Sequence, residues 1–223
     1  MNEISRTSSL NTSAQVATFI LAGGESSRMG VNKAFLEIGG MPLIVRTARL
    51  LESVGGTSSV SGGPIVVGSL ELVRELALRV IADDYPGCGP LGGIATALRT
   101  SDAEWNLIVA CDLPYLSKPW LEFLVRRAQA QEANADTNAV VPMNVQRPEP
   151  LCAMYRKSCE ATFRVALEKG TRKVTDGLAQ VRVEYLEPAE WKCFDSDGLL
   201  FKNMNTPADY DEAALRLAAR PKS

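Results

Sequence analysis

The chain of 223 residues contains no histidine. This absence excludes Ser–His and Cys–His catalytic pairs and removes the usual general base of enzymes. Any chemistry must therefore depend on carboxylates, cationic side chains, backbone amides or a metal ion. The 5 cysteines are scattered, and no two have the C-x-x-C spacing. This pattern argues against a disulfide framework or a zinc site, and it favours a reducing cytoplasm.

An excess of one charge and a long apolar run are also missing. With 24 Lys and Arg against 26 Asp and Glu, the chain lacks the basic surplus of a general nucleic-acid binder. No apolar run approaches the roughly 18–20 residues of a membrane span. Residues 1–15 are rich in Ser, Thr and Asn and lack the apolar core of a signal peptide. We therefore predict a cytoplasmic protein without nucleic-acid or membrane partners, and a flexible extension over residues 1–15.

Short apolar segments alternate with helical patterns through most of residues 16–223, which we predict to form a single domain. This alternation is typical of an α/β fold with a mostly parallel sheet, and we predict a three-layer Rossmann-like arrangement. In such sheets, ligands bind beyond the carboxyl ends of the strands. The predicted strands are 16–21, 64–68, 79–82, 106–111, 139–142, 151–155 and 181–186. Four predicted helices cover 70–78, 91–99, 118–131 and 158–169. Two more are predicted by their starts alone, at Pro42 and at Thr206-Pro207.

The first predicted strand ends in the polar segment LAGGESSRMG (residues 21–30), which is followed by Lys33. Glycines allow backbone amides to approach phosphates closely. Arg28 can donate a forked pair of hydrogen bonds to phosphate oxygens, and Lys33 can stabilise negative charge that develops there. The segment is neither a P-loop nor a G-x-G-x-x-G fingerprint. Phosphate binding is the favoured interpretation, and a glycine-rich turn with solvated charges is the alternative.

Asp112 closes the fourth predicted strand, just before Leu113-Pro114. From this position its carboxylate can reach the crevice at the sheet edge. Mg²⁺ is usually held by one or two carboxylates together with substrate phosphates. An aspartate that caps a helix or forms a turn is an equally good interpretation, so the residues alone leave both roles open.

Other strand ends offer further candidates. Asp83 and Asp84 follow the third predicted strand and either accept hydrogen bonds from a base or ribose or form a solvated turn. Gly92 and Gly93 belong to a helix start whose free amides could face a nucleotide base or simply be capped. Cys111 has no adjacent histidine or cation, which predicts packing rather than nucleophilic chemistry.

Five motifs together resemble the molybdenum cofactor guanylyltransferase family, within the Rossmann-like nucleotidyltransferases. Their order and spacing also fit that family over roughly residues 16–215. The motifs are LAGGESSRMG (21–30) with Lys33, GPLGG (89–93), CDLPY (111–115), PLCAMY (150–155) and NMNTP (203–207). The first is specific for nucleotidyltransferases, and the combination is fairly specific for the molybdopterin branch.

This resemblance implies transfer of GMP from GTP to molybdopterin or the molybdenum cofactor, with release of pyrophosphate and with Mg²⁺ as cofactor. Molybdoenzyme maturation proteins are further partners that it suggests. The implied catalytic residues are Arg28, Lys33 and Asp112, with Asp112 as the metal ligand and with Asn203 and Asn205 on the acceptor side. The expected GTP-binding residues are Leu21, Ala22, Gly23, Gly24, Lys33, Asp83, Gly92 and Asp112.

Two other functions stay open at the level of sequence. One is a related nucleotidyltransferase that uses CTP or a sugar-phosphate acceptor. The cytidylyl branch tends to carry Leu-Ala-Ala-Gly in the first loop, whereas the corresponding segment of this chain ends in Gly23-Gly24, which favours guanine over cytosine. A non-catalytic nucleotide-binding partner protein is the alternative of another class. The presence of Arg28, Lys33 and Asp112 argues against it.

Overall fold

The computed structural model describes residues 16–23, 33–54, 63–69, 78–131, 134, 136–145 and 147–218. The predicted extension over residues 1–15 lies outside these ranges, as do Gly24, Arg28 and nearly all of the helix predicted at 70–78. Among the described helices, none is both long enough and apolar enough to cross a membrane.

One sheet forms the centre of the described structure. It contains β1 (Val16–Leu21), β2 (Ile65–Val67), β3 (Arg79–Ile81), β4 (Trp105–Ala110), β5 (Ala139–Pro142), β6 (Cys152–Arg156) and β7 (Val183–Leu186). The strand order is β3-β2-β1-β4-β6-β5-β7. Neighbouring strands are parallel, except that β6 runs antiparallel to both β4 and β5. The predicted mostly parallel sheet is confirmed.

Helices lie in the β1–β2, β3–β4, β4–β5 and β6–β7 connections and after β7. They are α1 (Leu43–Val54), α2 (Gly89–Thr100), α3 (Lys118–Gln129), α4 (Cys159–Glu168), α5 (Val174–Leu178), α6 (Pro188–Trp191) and α7 (Pro207–Ala218), with 3-10 turns at Lys33–Phe35 and Lys192–Phe194. Pro42 does not open α1 as predicted but directly precedes it, and its carbonyl accepts the first helical hydrogen bond from Arg46 N at 3.0 Å. The short helix α6 escaped prediction, since one turn of helix shows no readable periodicity.

Apolar residues on both faces of the sheet create the three layers. On one face, α1 and α3 pack against alternate strand residues such as Ile20 and Val109. On the other face, α2, α4 and α5 pack against the intervening residues, including Phe19 and Ile108. All six residues of β4 are buried, as expected for a strand with helices on both sides. The predicted three-layer α/β fold is therefore confirmed.

Candidate active site

Three candidate positions lie at the same edge of the sheet because their strands end in register. Leu21 is paired with Val67 on one side and with Ala110 on the other, and Val67 is paired with Ile81. Gly23, Asp83 and Asp112 each lie two residues beyond this row. Strand β1 is also where the order reverses, with β2 on one side and β4 on the other. Ligands of doubly wound sheets bind at such a switch point.

The end of β1 divides into a bonded part and an open part. The Leu21 carbonyl accepts a hydrogen bond from Cys111 N at 3.1 Å, and Ala22 N donates to the Val67 carbonyl at 2.9 Å. Gly23 is exposed, and a Cβ added there would meet nothing within 4 Å. Gly23 is therefore the residue at this strand end with open space beside its backbone, as an approaching ligand requires.

Asp112 follows β4 and directs a carboxylate towards the interior of this edge. Its Oδ1 atom is buried and has no hydrogen-bond partner among the described residues. Burial raises the pKa of the Asp112 carboxyl, and the positive charge of Lys33 partly opposes that rise. A buried carboxylate oxygen without a donor is costly unless a cation pairs with it. The site thus fits a divalent metal ion.

The described part of the chain supplies few ligands for such an ion. No group of three or more His, Cys, Asp or Glu residues that could hold a metal occurs in the described part of the chain. This argues against a structural metal cage. It agrees with Mg²⁺, which usually keeps waters and substrate phosphates around one or two carboxylates.

Lys33 and Asn205 meet at the entrance to this edge. Lys33 belongs to the 3-10 turn after the first loop, and its Nζ donates to Asn205 Oδ1 at 2.9 Å. Main-chain Met204 N donates to the Asp112 carbonyl at 2.9 Å, which fixes the segment 203–205 beside the metal candidate. Asn203 is partly exposed in the same segment. The structure thus brings together Lys33, Asp112 and the two predicted acceptor residues.

A capping box holds this segment at the start of α7. Thr206 Oγ1 accepts from Asp209 N at 3.2 Å, while Asp209 Oδ2 accepts from Thr206 N at 2.8 Å and from Asn205 N at 3.0 Å. The Thr206 hydroxyl, which donates to Asp209 Oδ2 at 2.8 Å, and the two backbone bonds to that oxygen lower the pKa of the Asp209 carboxyl. The predicted helix start at Thr206-Pro207 is confirmed. Asp209 itself was missed, although the spacing Thr-x-x-Asp resembles the capping-box pattern.

Asp83 combines a turn with an open oxygen. Its Oδ1 accepts from Tyr85 N at 2.9 Å and from Thr96 Oγ1 at 3.0 Å. Its Oδ2 has no hydrogen bond to another described residue, so it can still accept one from a ligand. The adjacent Asp84 pairs with Arg99 at 2.6 Å. Thr96 could not be predicted from the sequence, since nothing local marks a helix threonine as the support of a distant turn.

Gly92 and Gly93 of α2 are explained first by packing. A Cβ on Gly92 would lie 2.9 Å from Tyr85 Cβ and 3.0 Å from its carbonyl oxygen. A Cβ on Gly93 would lie 3.2 Å from a methyl group of Leu21. Both glycines are buried, so the helix can approach β1 and the Asp83 turn closely. The expected contact of Gly92 with GTP stays a prediction.

Cys111 packs, as the sequence predicted. It is buried at the end of β4, and this burial raises the pKa of its thiol to about 12. Nearby Asp112 adds to the rise and Lys33 opposes it. A thiol that stays protonated at neutral pH is a poor nucleophile.

Comparison with known proteins gives a consistent result. The MobA-like NTP transferase domain matches residues 18–183. A protein of Pelotomaculum thermopropionicum named probable molybdenum cofactor guanylyltransferase is 34% identical, over 89% of this chain and 92% of its own length. A Synechococcus elongatus protein of the same name is 35% identical, over 89% and 98%.

A solved structure extends the similarity to the fold. Molybdopterin-guanine dinucleotide biosynthesis protein A from Archaeoglobus fulgidus superposes with a TM-score of 0.76 at 25% sequence identity. The superposition covers 92% of this chain and 100% of that protein. The matched domain, residues 18–183, contains Lys33, Asp83 and Asp112, whereas Asn203 and Asn205 follow it in the chain.

Proposed function

Since the chain belongs to the molybdenum cofactor guanylyltransferase family and carries its MobA-like NTP transferase domain, we propose that it transfers GMP from GTP to molybdopterin or the molybdenum cofactor. One observation within the site carries the proposal. The buried Oδ1 of Asp112 has no donor in the described structure, and Asp112 lies at the same sheet edge as exposed Gly23, where the positive charge of Lys33 acts on its carboxyl group.

The reaction is an in-line displacement at phosphorus. A terminal phosphate oxygen of the acceptor forms a bond to the α-phosphorus of GTP, while the bond from that phosphorus to the β-phosphate bridging oxygen breaks. Pyrophosphate leaves with the bonding electron pair. The attacking phosphate is already an anion at neutral pH, so the reaction needs no histidine as general base.

Charge and positioning then set most of the barrier. Asp112 is the residue that would hold Mg²⁺, which when bound neutralises phosphate charge and orients the phosphates. Lys33 stabilises the charge that develops on the leaving pyrophosphate. Arg28 has the same proposed task but lies outside the described residues.

The two substrates occupy different halves of the edge in this proposal. GTP lies over β1 and β3, where the backbone from Leu21 to Gly23 lines it and the open Oδ2 of Asp83 accepts hydrogen bonds from guanosine. The acceptor enters beside β4, where Asn203 and Asn205 flank Asp112. Lys33 faces both substrates because it lies between Asp112 and Asn205.

A direct test offers the purified protein molybdopterin, Mg²⁺ and GTP, CTP or ATP in separate reactions. The expected result is pyrophosphate release together with a dinucleotide product of the guanine mass, from GTP alone, and loss of this activity on chelation of the metal. Turnover with CTP instead would transfer the proposal to the cytidylyl branch. GTP binding without any turnover would identify a non-catalytic binding protein.

A further inference from the structure

A groove lies on the side of α1, next to the loop that leaves β4. Its volume is about 290 Å³. One wall is formed by α1 through Arg46, Arg49 and Leu50, and the other by Leu113, Pro114 and Leu116. None of the residues described above as binding GTP lines this space. We call it the α1 groove.

The α1 groove has a distinct charge. Arg46 is partly exposed and Arg49 is exposed, and their three-residue spacing brings both guanidinium groups to neighbouring positions on the helix. No acidic side chain is among the described residues that line the groove. Arg49 makes no ion pair with another described residue. The groove therefore combines apolar walls with hydrogen-bond donors and a positive field.

The α1 groove also begins beside the reaction centre. Leu113 is the residue directly after Asp112, and consecutive Cα atoms are about 3.8 Å apart. On the other wall, α1 follows the segment that starts at the Lys33 turn. The loop wall ends at Leu116, shortly before α3 starts at Lys118. A molecule in the groove could thus extend one end towards Asp112 and Lys33.

We infer that the α1 groove binds the pterin ring of the acceptor, an inference that rests on the proposed function. A pterin is flat and presents a carbonyl oxygen and ring nitrogens that accept hydrogen bonds. Planar guanidinium groups both stack on such rings and donate to such atoms. Leu50, Leu113 and Leu116 supply apolar contact for the ring faces. The groove is close to the lower end of small-molecule sites, which span about 300–1,000 Å³.

This placement gives the acceptor an orientation. The ring lies against α1, and the phosphate arm passes Leu113 to reach the α-phosphorus held near Asp112. Asn205 and Lys33 then meet the arm rather than the ring. Specificity for a pterin over a sugar phosphate comes from Arg46 and Arg49, whereas the phosphate contacts are common to both kinds of acceptor.

The test compares the double variant Arg46→Gln/Arg49→Gln with the unchanged protein and with Arg164→Gln. Arg164 lies on α4, on the opposite face of the sheet, and so is a matched control. Loss of each charged donor is expected to raise the KM for molybdopterin about tenfold or more, with the KM for GTP unchanged. Arg164→Gln should leave both constants as they are. Circular dichroism checks that each variant is folded, and the exposed single variant Arg49→Gln is measured as well.

A second measurement separates this inference from the proposed function. Binding of 6-hydroxymethylpterin, which has the ring but no phosphate, is followed by its fluorescence without any turnover. The unchanged protein should bind it, and the double variant should bind it at least about tenfold more weakly. If the protein makes no dinucleotide yet shows this difference, the proposed function fails and the groove assignment stands. Equal pterin binding by the two proteins, or an unchanged acceptor KM in the double variant, overturns the groove assignment.

Discussion

Lys33 donates a hydrogen bond to Asn205 across 172 residues of sequence, at 2.9 Å between Nζ and Oδ1. This bond joins the turn that contains Lys33, which we propose to meet the nucleotide, to the segment before α7, which we propose to meet the acceptor. It holds a flexible cationic side chain close to Asp112, whose pKa responds to the Lys33 charge. Asn205 therefore acts on the proposed reaction by keeping Lys33 in place as well as by meeting the acceptor.

The first prediction concerns Asn205→Ala. Removal of the amide frees Lys33, and we expect kcat/KM for the acceptor to fall about five- to tenfold, the size of one hydrogen bond. Steady-state kinetics with molybdopterin as the varied substrate measure this. Asn134→Ala is the control, because Asn134 makes its contacts in a turn beyond α3. An Asn205→Ala variant with unchanged kcat/KM would show that the contact with Lys33 does not serve turnover.

The second prediction concerns Asp112→Asn. We expect turnover to fall by about 10²–10³, since loss of one preorganised charge costs roughly 3–4 kcal/mol of transition-state stabilisation. The ligand-free variant should unfold at the same temperature or higher, because the buried charge is gone while the shape is kept. Added Mg²⁺ with GTP should no longer raise Tm as it does in the unchanged protein.

Asp102→Asn is the matched control for Asp112, since Asp102 is an exposed aspartate before the other end of β4. It should change neither turnover nor the effect of Mg²⁺. Near-normal turnover of Asp112→Asn would remove Asp112 from the mechanism.

The third prediction separates two tasks of Asp83. Asp83→Asn keeps an Oδ1 acceptor for Tyr85 N and Thr96, so its free energy of unfolding should stay close to that of the unchanged protein. Asp83→Ala leaves those donors unpaired and should lose about 1–3 kcal/mol in urea unfolding. Both variants should bind GTP more weakly in calorimetric titration, because both lack the charge at Oδ2. If Asp83→Asn bound GTP normally, the aspartate would serve the turn alone.

The fourth prediction compares Gly92→Ala with Gly93→Ala. Alanine gains about 1 kcal/mol in helix propensity at either position. At Gly92 the new methyl would meet a backbone oxygen at 3.0 Å, and such overpacking costs about 1–3 kcal/mol. At Gly93 the contact is the end of the Leu21 side chain at 3.2 Å, which can shift slightly. Thermal unfolding should therefore show a lower Tm for Gly92→Ala than for Gly93→Ala, and the reverse order would contradict this packing.

The fifth prediction is a loss of stability at high pH. Burial raises the pKa of the thiols of Cys111, Cys152 and Cys159 to about 12, from the 9.0 of an ordinary cysteine. Between these values the folded protein binds more protons than the unfolded chain, so the free energy of unfolding falls as pH rises. The slope is about 1.4 kcal/mol per pH unit for each thiol.

Urea unfolding at pH 8 and pH 10 measures this slope. The variant Cys159→Ala has one such thiol fewer and should show a shallower decline, while Cys193→Ala, at an exposed cysteine, should match the unchanged protein. Equal free energies of unfolding at the two pH values would contradict the prediction.

The sequence predicted most of the sheet because buried strands appear as short apolar runs. Residues 106–111 are a clear example, and the structure places β4 there, at Trp105–Ala110. The direction of a strand was harder to predict, since an apolar run such as 151–155 is compatible with both a parallel and an antiparallel strand. The antiparallel setting of β6 depends on which connections cross the sheet, which no local pattern records.

The residues of the candidate site were likewise predictable from the sequence only in part. Gly23, Asp83 and Asp112 could be predicted together because parallel strands bring their carboxyl ends to one edge. Thr96 and Met204 could not, because their contacts with Asp83 and Asp112 arise from tertiary packing. The packing role of Gly92 was hidden for the same reason, since a glycine in a helix start is compatible with both a ligand and a close neighbour.

The central place of β4 has a consequence for the rates at which parts of the site open. Its amides are bonded in a strand flanked by β1 and β6, while β3 forms an outer edge of the described sheet. In native-state hydrogen exchange, amide protons of β4 should be among the slowest and those of β3 faster. We therefore expect Asp112, the proposed metal ligand, to be attached to a strand that opens last, and Asp83, the proposed guanosine contact, to a strand that opens more readily.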